Sequence, residues 1–274
     1  MLTGLDESTT FNDIAIRATQ VIGLLFALAY LWFVCPLSRQ TLGWRTRAGN
    51  GPLTLALGFI AGILIVSALA ASLYLLDIHA VIPGRDYSAA AIALLILKAL
   101  ITGFAVAVFE ETLFRGALLG GLLQRTRHVA AAVVTVSAAY AAVHFLDYPP
   151  LAAGEPAGWL TGPARFADVI AGMFKPETLD AFLALFTLGV LLGMMRVRNG
   201  NIILCIGLHA GVVAMIKISR YFLAYREGSD FDFLVSMHDH RIGYLAFLWL
   251  GIATLVYYIS GTMKQSTNGT HSPT

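Results

Sequence analysis

Long apolar runs separated by short polar loops dominate the chain. Each run is close to the roughly 20 residues that an α-helix needs to cross the hydrocarbon core of a bilayer. The pattern therefore predicts an all-α fold, a polytopic transmembrane helix bundle of about seven spans. The predicted spans are, in chain order, 14–37, 52–76, 88–123, 129–145, 181–195, 202–223 and 242–259. An eighth, interfacial helix is predicted over 164–174, within a proline-rich loop.

The third run, 88–123, is longer than one crossing requires. As a straight helix it would measure about 54 Å at a rise of about 1.5 Å per residue. Such a helix is expected either to tilt and protrude or to kink, near Gly103 or near the pair Glu110–Glu111.

The spans divide the chain into four predicted regions. These are a two-span N-terminal region (1–87), a core (88–223), a polar loop with the last span (224–263) and a disordered tail (264–274). The loops 38–51, 124–128 and 196–200 carry an excess of basic residues, which predicts that they lie on the cytoplasmic side.

Composition agrees with a membrane protein. The 274 residues are 58% hydrophobic and 12% charged, whereas a soluble domain has about 25% charged residues. The net charge of +2 gives no indication of nucleic-acid binding. The lipid bilayer is the expected environment, and a bacterial inner (plasma) membrane is the expected location. Cys35 and Cys205 lie in apolar runs and are interpreted as packing residues. The N-terminus has no basic segment typical of a signal peptide, so the first span is expected to be retained.

Two adjacent carboxylates interrupt the third span. Glu110, Glu111 and Arg115 lie between almost wholly apolar segments. A charge at membrane depth costs a few kcal/mol, so such residues usually serve a function. Lys98, in the same span, is interpreted as a lysine that reaches towards the interface or forms an ion pair, with recognition of a charged substrate as the alternative.

Two histidines add to this cluster from other spans. His144 and His209 are the only ones of seven histidines well inside predicted spans. A single such histidine is more often a packing residue, but two together with a glutamate pair favour a functional site. Tyr140 is four residues before His144 and Asp147 three residues after it, so either could orient the His144 ring.

Helical spacing suggests different roles for the two glutamates. Glu111 and Arg115 are four residues apart, so they share a helix face and can form an ion pair. Glu110 points about 100° away from Glu111 around the helix. Glu110 is therefore predicted to be the working carboxylate, while Glu111, paired with Arg115, supports the site.

Three motifs resemble a known family. Glu110-Glu111-x-x-x-Arg115, Tyr140-x-x-x-His144 and the later His209 are similar to the motifs of the CPBP (CAAX prenyl endopeptidase type II and bacteriocin-processing, or Abi) family of intramembrane glutamic proteases. The resemblance covers about residues 90 to 220. It implies an endopeptidase that cuts a peptide or protein in or at the membrane and needs no cofactor.

The resemblance also implies a role for each residue. Glu110 would activate a water with His144 as its partner, and His209 would hold the carbonyl oxygen of the tetrahedral intermediate. A general base and a preorganised oxyanion donor are what peptide hydrolysis requires.

Two positions depart from the family pattern. Tyr140 stands where the family usually has phenylalanine, and Val213 where the third motif usually has asparagine. Valine has no side-chain donor, and loss of one oxyanion donor costs on the order of 3 kcal/mol. Val213 therefore keeps a second hypothesis open, in which the protein is a non-catalytic membrane immunity or regulatory scaffold.

Two further chemistries stay open as minority hypotheses. Glu110, His144 and His209 could be three ligands of a catalytic zinc ion, although no HExxH motif is present. A proton relay or transporter is the weaker possibility, because no inverted repeat is found.

Overall fold

A computed structural model describes residues 38, 40–44, 50–146, 160, 164–166, 171, 175–237 and 239–269, the last eight by their backbone only. The first predicted span, 14–37, lies outside the described residues, as do Cys35 and Asp147. Most of the predicted interfacial helix lies outside them too, and the parts that are described, 164–166 and 171, are helical.

The described part of the chain is almost entirely helical. Its seven α-helices are α1 (Gly51–Leu75), α2 (Ala89–Glu111), α3 (Leu119–Arg125), α4 (Val129–Val143), α5 (Leu179–Asn199), α6 (Ile203–Phe222) and α7 (Tyr244–Gly269). A π-helix, Thr112–Leu118, joins α2 to α3. Single turns of 3₁₀-helix lie at Pro176–Thr178 and Asp232–Leu234. Two short antiparallel strands, β1 (His79–Val81) and β2 (Leu223–Tyr225), form a ribbon in which His79 pairs with Tyr225.

Among the residues that the structure describes, five helical segments are long and apolar enough to cross a membrane. They are Gly51–Leu75, Ala89–Arg125, Leu179–Asn199, Ile203–Phe222 and Tyr244–Gly261. The all-α class and an integral membrane protein are thereby supported, but the expected count of about seven spans is not confirmed.

The predicted fourth span is shorter than expected. Helix α4 ends at Val143 and has 15 residues, so it is about 22 Å long and falls short of the roughly 30 Å hydrocarbon core. Helix α7 differs in the opposite sense, because it continues through Lys264 to Gly269. Residues 260–269 contain no proline that would stop the helix, and the structure therefore differs from the predicted tail over 264–269.

Helix α6 lies between α1 and α2, where glycines allow backbones to touch. A Cβ added to Gly58 or Gly62 of α1 would overlap the α6 backbone, and one added to Gly207 or Gly211 would overlap the α1 backbone. Small residues spaced by four permit this close approach in membranes. His209 lies between the two α6 glycines, so the same contact fixes its position.

Helix α5 packs against α4 in the same manner. A Cβ on Gly189 would lie 2.9 Å from that of Ser137, and one on Gly193 would lie 2.8 Å from a methyl group of Val133. The small residues at these two positions thus allow α5 and α4 to pack closely. The main hydrophobic core lies between α1, α4, α5, α6 and α7 and continues to the π-helix through Phe114.

Candidate active site

The glutamate pair lies where α2 changes into the π-helix. In a π-helix each backbone hydrogen bond spans five residues. Such segments are rare in proteins, and those that occur often lie at functional sites. The Thr112 hydroxyl donates to the carbonyl of Val108 at 2.6 Å at this transition. Gly116 lies so close to the Leu42 carbonyl that a Cβ there would be 2.9 Å from it. The irregular segment thus falls at the glutamate pair, one of the two positions where a kink is predicted.

Glu111 is fully buried and binds two partners through one oxygen. Its Oε1 accepts hydrogen bonds from Arg115 Nη1 at 3.1 Å and from His209 Nδ1 at 2.8 Å. The ion pair predicted from the four-residue spacing is confirmed. The bond to His209 joins residues 98 positions apart and was not predicted. Because an ionised carboxylate only accepts, the proton of this bond lies on Nδ1, and the other ring nitrogen is free to face elsewhere.

Glu110 lies on the other side of the same imidazole. Its Oε2 is 3.7 Å from His209 Nε2, beyond direct hydrogen-bond distance, and its side chain is 21% exposed. The oxygen itself is buried and has no hydrogen-bond partner within the described residues. A buried oxygen without a partner is where an ordered water or a substrate group is expected.

Arg115 is enclosed by groups that hold its guanidinium in one place. Its Nη2 donates to the carbonyl of Gly189 at 3.4 Å, and its guanidinium lies 4.3 Å from the centre of the Tyr140 ring. The Phe114 ring packs edge-on against the Tyr140 ring, with 5.2 Å between the ring centres. Cation–π contact and hydrogen bonds together satisfy a charge that would otherwise be costly to bury.

His144 follows the last residue of α4 and is oriented by Tyr140. Its Nδ1 donates to the Tyr140 carbonyl at 2.7 Å, because a carbonyl can only accept. With Nδ1 as the donor, Nε2 is the ring nitrogen that faces away from the helix backbone and is available to a ligand. The centre of the Tyr140 ring is 4.7 Å from that of His144 and 6.2 Å from that of His209. Both the backbone carbonyl and the ring of Tyr140 therefore contact the His144 ring.

An apolar cavity of about 170 Å³ adjoins the two histidines. His144, His209 and Tyr140 line it together with side chains of α1, α5, α6 and α7. Val213 lines it as well, so methyl groups occupy the place where the family usually has an amide. Glu110 does not line the cavity and is connected to it through His209.

Trp249 lines the same cavity and was not singled out from the sequence. Its indole nitrogen donates to the Ser72 hydroxyl at 3.1 Å, which joins α7 to α1. One tryptophan in an apolar span has no distinguishing sequence signal, since such residues are common at membrane interfaces.

Other potential ligands are engaged elsewhere. The Cys205 thiol is buried and donates to the Leu192 carbonyl at 3.3 Å. Within the described residues, no group of three or more histidine, cysteine, aspartate or glutamate side chains is placed to hold a metal ion.

Comparison with known families agrees with these motifs. Residues 92–215 match the model of a family described as type II CAAX prenyl endopeptidase, Rce1-like. Over this segment, somewhat less than half of its length, the chain is similar to the Rce1-like family. The match confirms the resemblance, and it indicates a membrane endopeptidase of the CAAX-protease type. Comparisons with curated proteins and with solved structures gave no significant match.

The Rce1-like segment contains every predicted site residue but only part of the cavity. It runs from α2 to α6 and includes Glu110, Glu111, Arg115, Tyr140, His144 and His209. Helices α1 and α7, which contribute Val66 and Trp249 to the cavity lining, lie outside it. The cavity walls are therefore partly built from chain that the family match does not cover.

Proposed function

We propose that this protein is an intramembrane glutamic endopeptidase, which hydrolyses a peptide bond of a membrane-associated substrate. The observation that carries this proposal is the buried, unpartnered Oε2 of Glu110, 3.7 Å from Nε2 of His209. A carboxylate without a competing donor can bind a water and take a proton from it.

Glu110 suits the base better than Glu111 does. Glu111 already accepts hydrogen bonds from Arg115 and His209, and it is completely buried. Both donors bind Oε1 of Glu111, and its Oε2, although unpartnered, belongs to a side chain with no exposed surface, whereas the Glu110 side chain is 21% exposed and can be reached by water. We therefore assign water activation to Glu110 and positioning of His209 to Glu111.

The two histidines fit complementary roles. His209 is held by Glu111 at Nδ1, which aims Nε2 towards Glu110 and fixes the ring as a neighbouring carboxylate does in other hydrolases. We assign to it the binding of the substrate's carbonyl oxygen, whose negative charge grows as the water attacks; this role requires a proton on Nε2 as well as on Nδ1, so His209 would act as an imidazolium. His144, with Nε2 free to accept, lines the same cavity and is assigned as the second partner of the water.

These residues can account for every proton transfer in the reaction. Glu110 takes one proton as the water oxygen bonds to the carbonyl carbon, and the tetrahedral intermediate forms. When the C–N bond breaks, Glu110 returns that proton to the leaving amine, so the site ends in its starting state. Tyr140 packs against Arg115 and both histidines and keeps their rings in place.

One observation favours the second candidate, a non-catalytic membrane immunity or regulatory scaffold. Val213 lines the cavity beside His209 and presents no donor to a developing oxyanion. A scaffold would keep the buried polar cluster for stability alone. Its phenotype in cells would then survive replacement of Glu110.

Glu110→Gln is the variant that decides between these functions. It keeps the size of the side chain and removes its basicity, so cleavage should fall by about 10²–10⁴-fold. New N-termini released from membrane-associated peptides are quantified by mass spectrometry for the purified protein. Arg127→Gln, at an exposed loop away from the site, is the matched control and should cleave like the wild type. Undiminished cleavage by Glu110→Gln would exclude the proposed role.

We further propose that no cofactor takes part and that the protein resides in a bacterial inner membrane. Cleavage is expected to survive exhaustive chelation. Loss of cleavage that added zinc restores would instead support the metal-dependent alternative with Glu110, His144 and His209 as ligands.

A further inference from the structure

A second polar contact joins α2 and α6, nearer to the β-ribbon than the glutamate pair. Lys217 Nζ donates to Thr102 Oγ1 at 2.9 Å, and the Thr102 hydroxyl donates its own proton to the carbonyl of Lys98 at 2.7 Å. Thr102 therefore offers Lys217 a lone pair but no charge. An ammonium with one neutral partner is left uncompensated.

Two more side chains lie one helical turn from this contact. The helices are antiparallel, since Thr102 meets Lys217 while Glu110 meets His209. Lys98 is one turn from Thr102 towards the β-ribbon, and Tyr221 is one turn from Lys217 in the same direction. Both therefore lie at the same level of the seam between α2 and α6.

Arg85 adds a third cation at this level. Its guanidinium carbon lies 5.1 Å from the centre of the Tyr221 ring, and the Tyr221 hydroxyl donates to the Asp86 carbonyl at 2.6 Å. We call Arg85, Lys98, Lys217 and Tyr221 the basic seam. Tyrosine beside lysine and arginine is typical of the interface between lipid tails and headgroups.

The charge of the basic seam is not balanced within the described residues. No carboxylate there lies within the 4.0 Å ion-pair distance of Arg85, Lys98 or Lys217. The neighbouring Asp86 carboxylate instead accepts the backbone N–H of Ser88 at 2.8 Å.

The seam lies nearer to the β-ribbon end of α2 and of α6 than to their other ends. Lys217 lies five residues before the end of α6, about 8 Å of helix, and Lys98 nine residues after the start of α2, about 14 Å. The α2 surface beside it is apolar, with Leu94, Leu97 and Ile101 at least half exposed. Acyl chains below a headgroup need such a surface.

We propose that the basic seam binds the phosphate of an anionic phospholipid headgroup. Three cationic side chains can donate charge-assisted hydrogen bonds to its oxygens, and basic pockets between membrane helices bind such headgroups. Lys98 lies twelve residues before Glu110, about 18 Å along α2, and Lys217 eight residues after His209, about 12 Å along α6, so the seam is separate from the candidate active site. The proposal does not depend on peptide cleavage.

Lipid binding by the purified full chain tests this directly. Short-chain phosphatidylglycerol is titrated in a zwitterionic detergent, with phosphatidylcholine of the same chain length as reference, and Kd is measured by thermophoresis. Wild-type protein should prefer phosphatidylglycerol. The Lys98→Gln/Lys217→Gln double variant should bind it about 25-fold more weakly, about fivefold for each lysine.

Matched variants separate a site from diffuse attraction. Arg125→Gln/Arg127→Gln removes the same charge at exposed positions at the opposite end of the α2–α3 segment and should leave Kd unchanged. Lys217→Arg should keep the wild-type Kd, since guanidinium also binds phosphate. Lys98→Gln alone changes an exposed side chain with no ion pair, so it should fold and lose about fivefold.

Three results would overturn the proposal. One is equal affinity of the double variant and the wild type, and another is equal loss in the Arg125/Arg127 control. The third is displacement of the lipid by a competitor from another source. Inorganic phosphate would identify a free-phosphate site, and a peptide with a free but not an amidated C-terminus would identify a carboxylate site.

Discussion

Helices α2 and α6 meet at two polar levels that differ in how their charges are balanced. At the inner level, Glu111 lies between Arg115 and His209, and all three side chains are buried. At the outer level, Lys217 has only the neutral hydroxyl of Thr102. The inner level is therefore a paired cluster in which two glutamate oxygens lack a hydrogen-bond partner, and the outer level is a patch whose positive charge has no carboxylate partner within the described residues.

Burial explains the difference. Charges removed from water must be paired and hydrogen-bonded, or the desolvation penalty exceeds the gain. The inner level pairs its charges but leaves Oε2 of Glu110 and Oε2 of Glu111 without hydrogen-bond partners. We place chemistry at Glu110 because its side chain is 21% exposed, whereas that of Glu111 is fully buried. The outer level is only partly buried, so lysine stems can reach towards the interface and their charges remain available to a headgroup.

Arg115→Met gives the largest expected effect on stability. It leaves the Glu111 carboxylate buried without its cation, so the free energy of unfolding should fall by about 3–5 kcal/mol. Thermal or denaturant unfolding in detergent measures this. Arg125→Met removes an exposed arginine and should change little. Equal stability of the two variants would mean that the inner level is not held by its ion pair.

Gly211→Val should have the next largest effect. A Cβ at Gly211 would overlap the Phe59 carbonyl, so α1 and α6 must separate, at a cost of about 1–3 kcal/mol. His209 is two residues away and should be displaced, so cleavage should fall as well. Gly251→Val is the matched control, since nothing lies within 4 Å of a Cβ there. A Gly211 variant as stable as this control would argue against the close helix contact.

Lys217→Met should change stability little, in contrast to Arg115→Met. The lost hydrogen bond joins the ammonium to a neutral hydroxyl, and removing the charge also removes its desolvation, so the net change should stay within about 1 kcal/mol. Unfolding in zwitterionic detergent without anionic lipid tests this. A loss as large as that of Arg115→Met would show that the outer level is a structural ion cluster.

The smallest effect is expected from His79, in the β-ribbon beyond the outer level. Burial lowers the pKa of His79, with Arg241 and His240 acting in the same sense and the His240 carbonyl and Asp239 opposing. The unfolded chain therefore binds more protons as pH falls below about 6.5, and stability should decrease with decreasing pH in that range. His79→Gln should flatten the dependence of unfolding temperature on pH. An unchanged slope would contradict this.

Local spacing predicted the inner level only in part. The four-residue separation of Glu111 and Arg115 was sufficient to predict their ion pair, because neighbours on a helix face are fixed by the helix itself. The bond from Glu111 to His209 depends on how α2 packs against α6, which no short-range pattern contains. The π-helix itself was not predicted. The sequence predicted only that the long helix could kink, either near Gly103 or near the glutamate pair.

Length and depth were harder to predict than helical character. The apolar pattern identified five spans but extended α4 to Phe145, whereas the α-helix ends at Val143, one residue before His144. The cavity was missed because its walls come from five helices, and Trp249 becomes part of it only through packing. In the sequence Lys98 is an isolated charge. Only the packing of α6 against α2 brings Lys217 to Thr102, one helical turn from Lys98.

The central claim is that the two adjacent glutamates have different roles: Glu110 activates the water, and Glu111 positions His209 and stabilises the fold. The most direct test measures cleavage and unfolding temperature together for Glu110→Gln and Glu111→Gln. We predict that Glu110→Gln loses cleavage by about 10²–10⁴-fold at an unchanged unfolding temperature, while Glu111→Gln lowers the unfolding temperature as well. Cleavage retained in Glu110→Gln, or an equal loss of stability in both variants, would contradict this division.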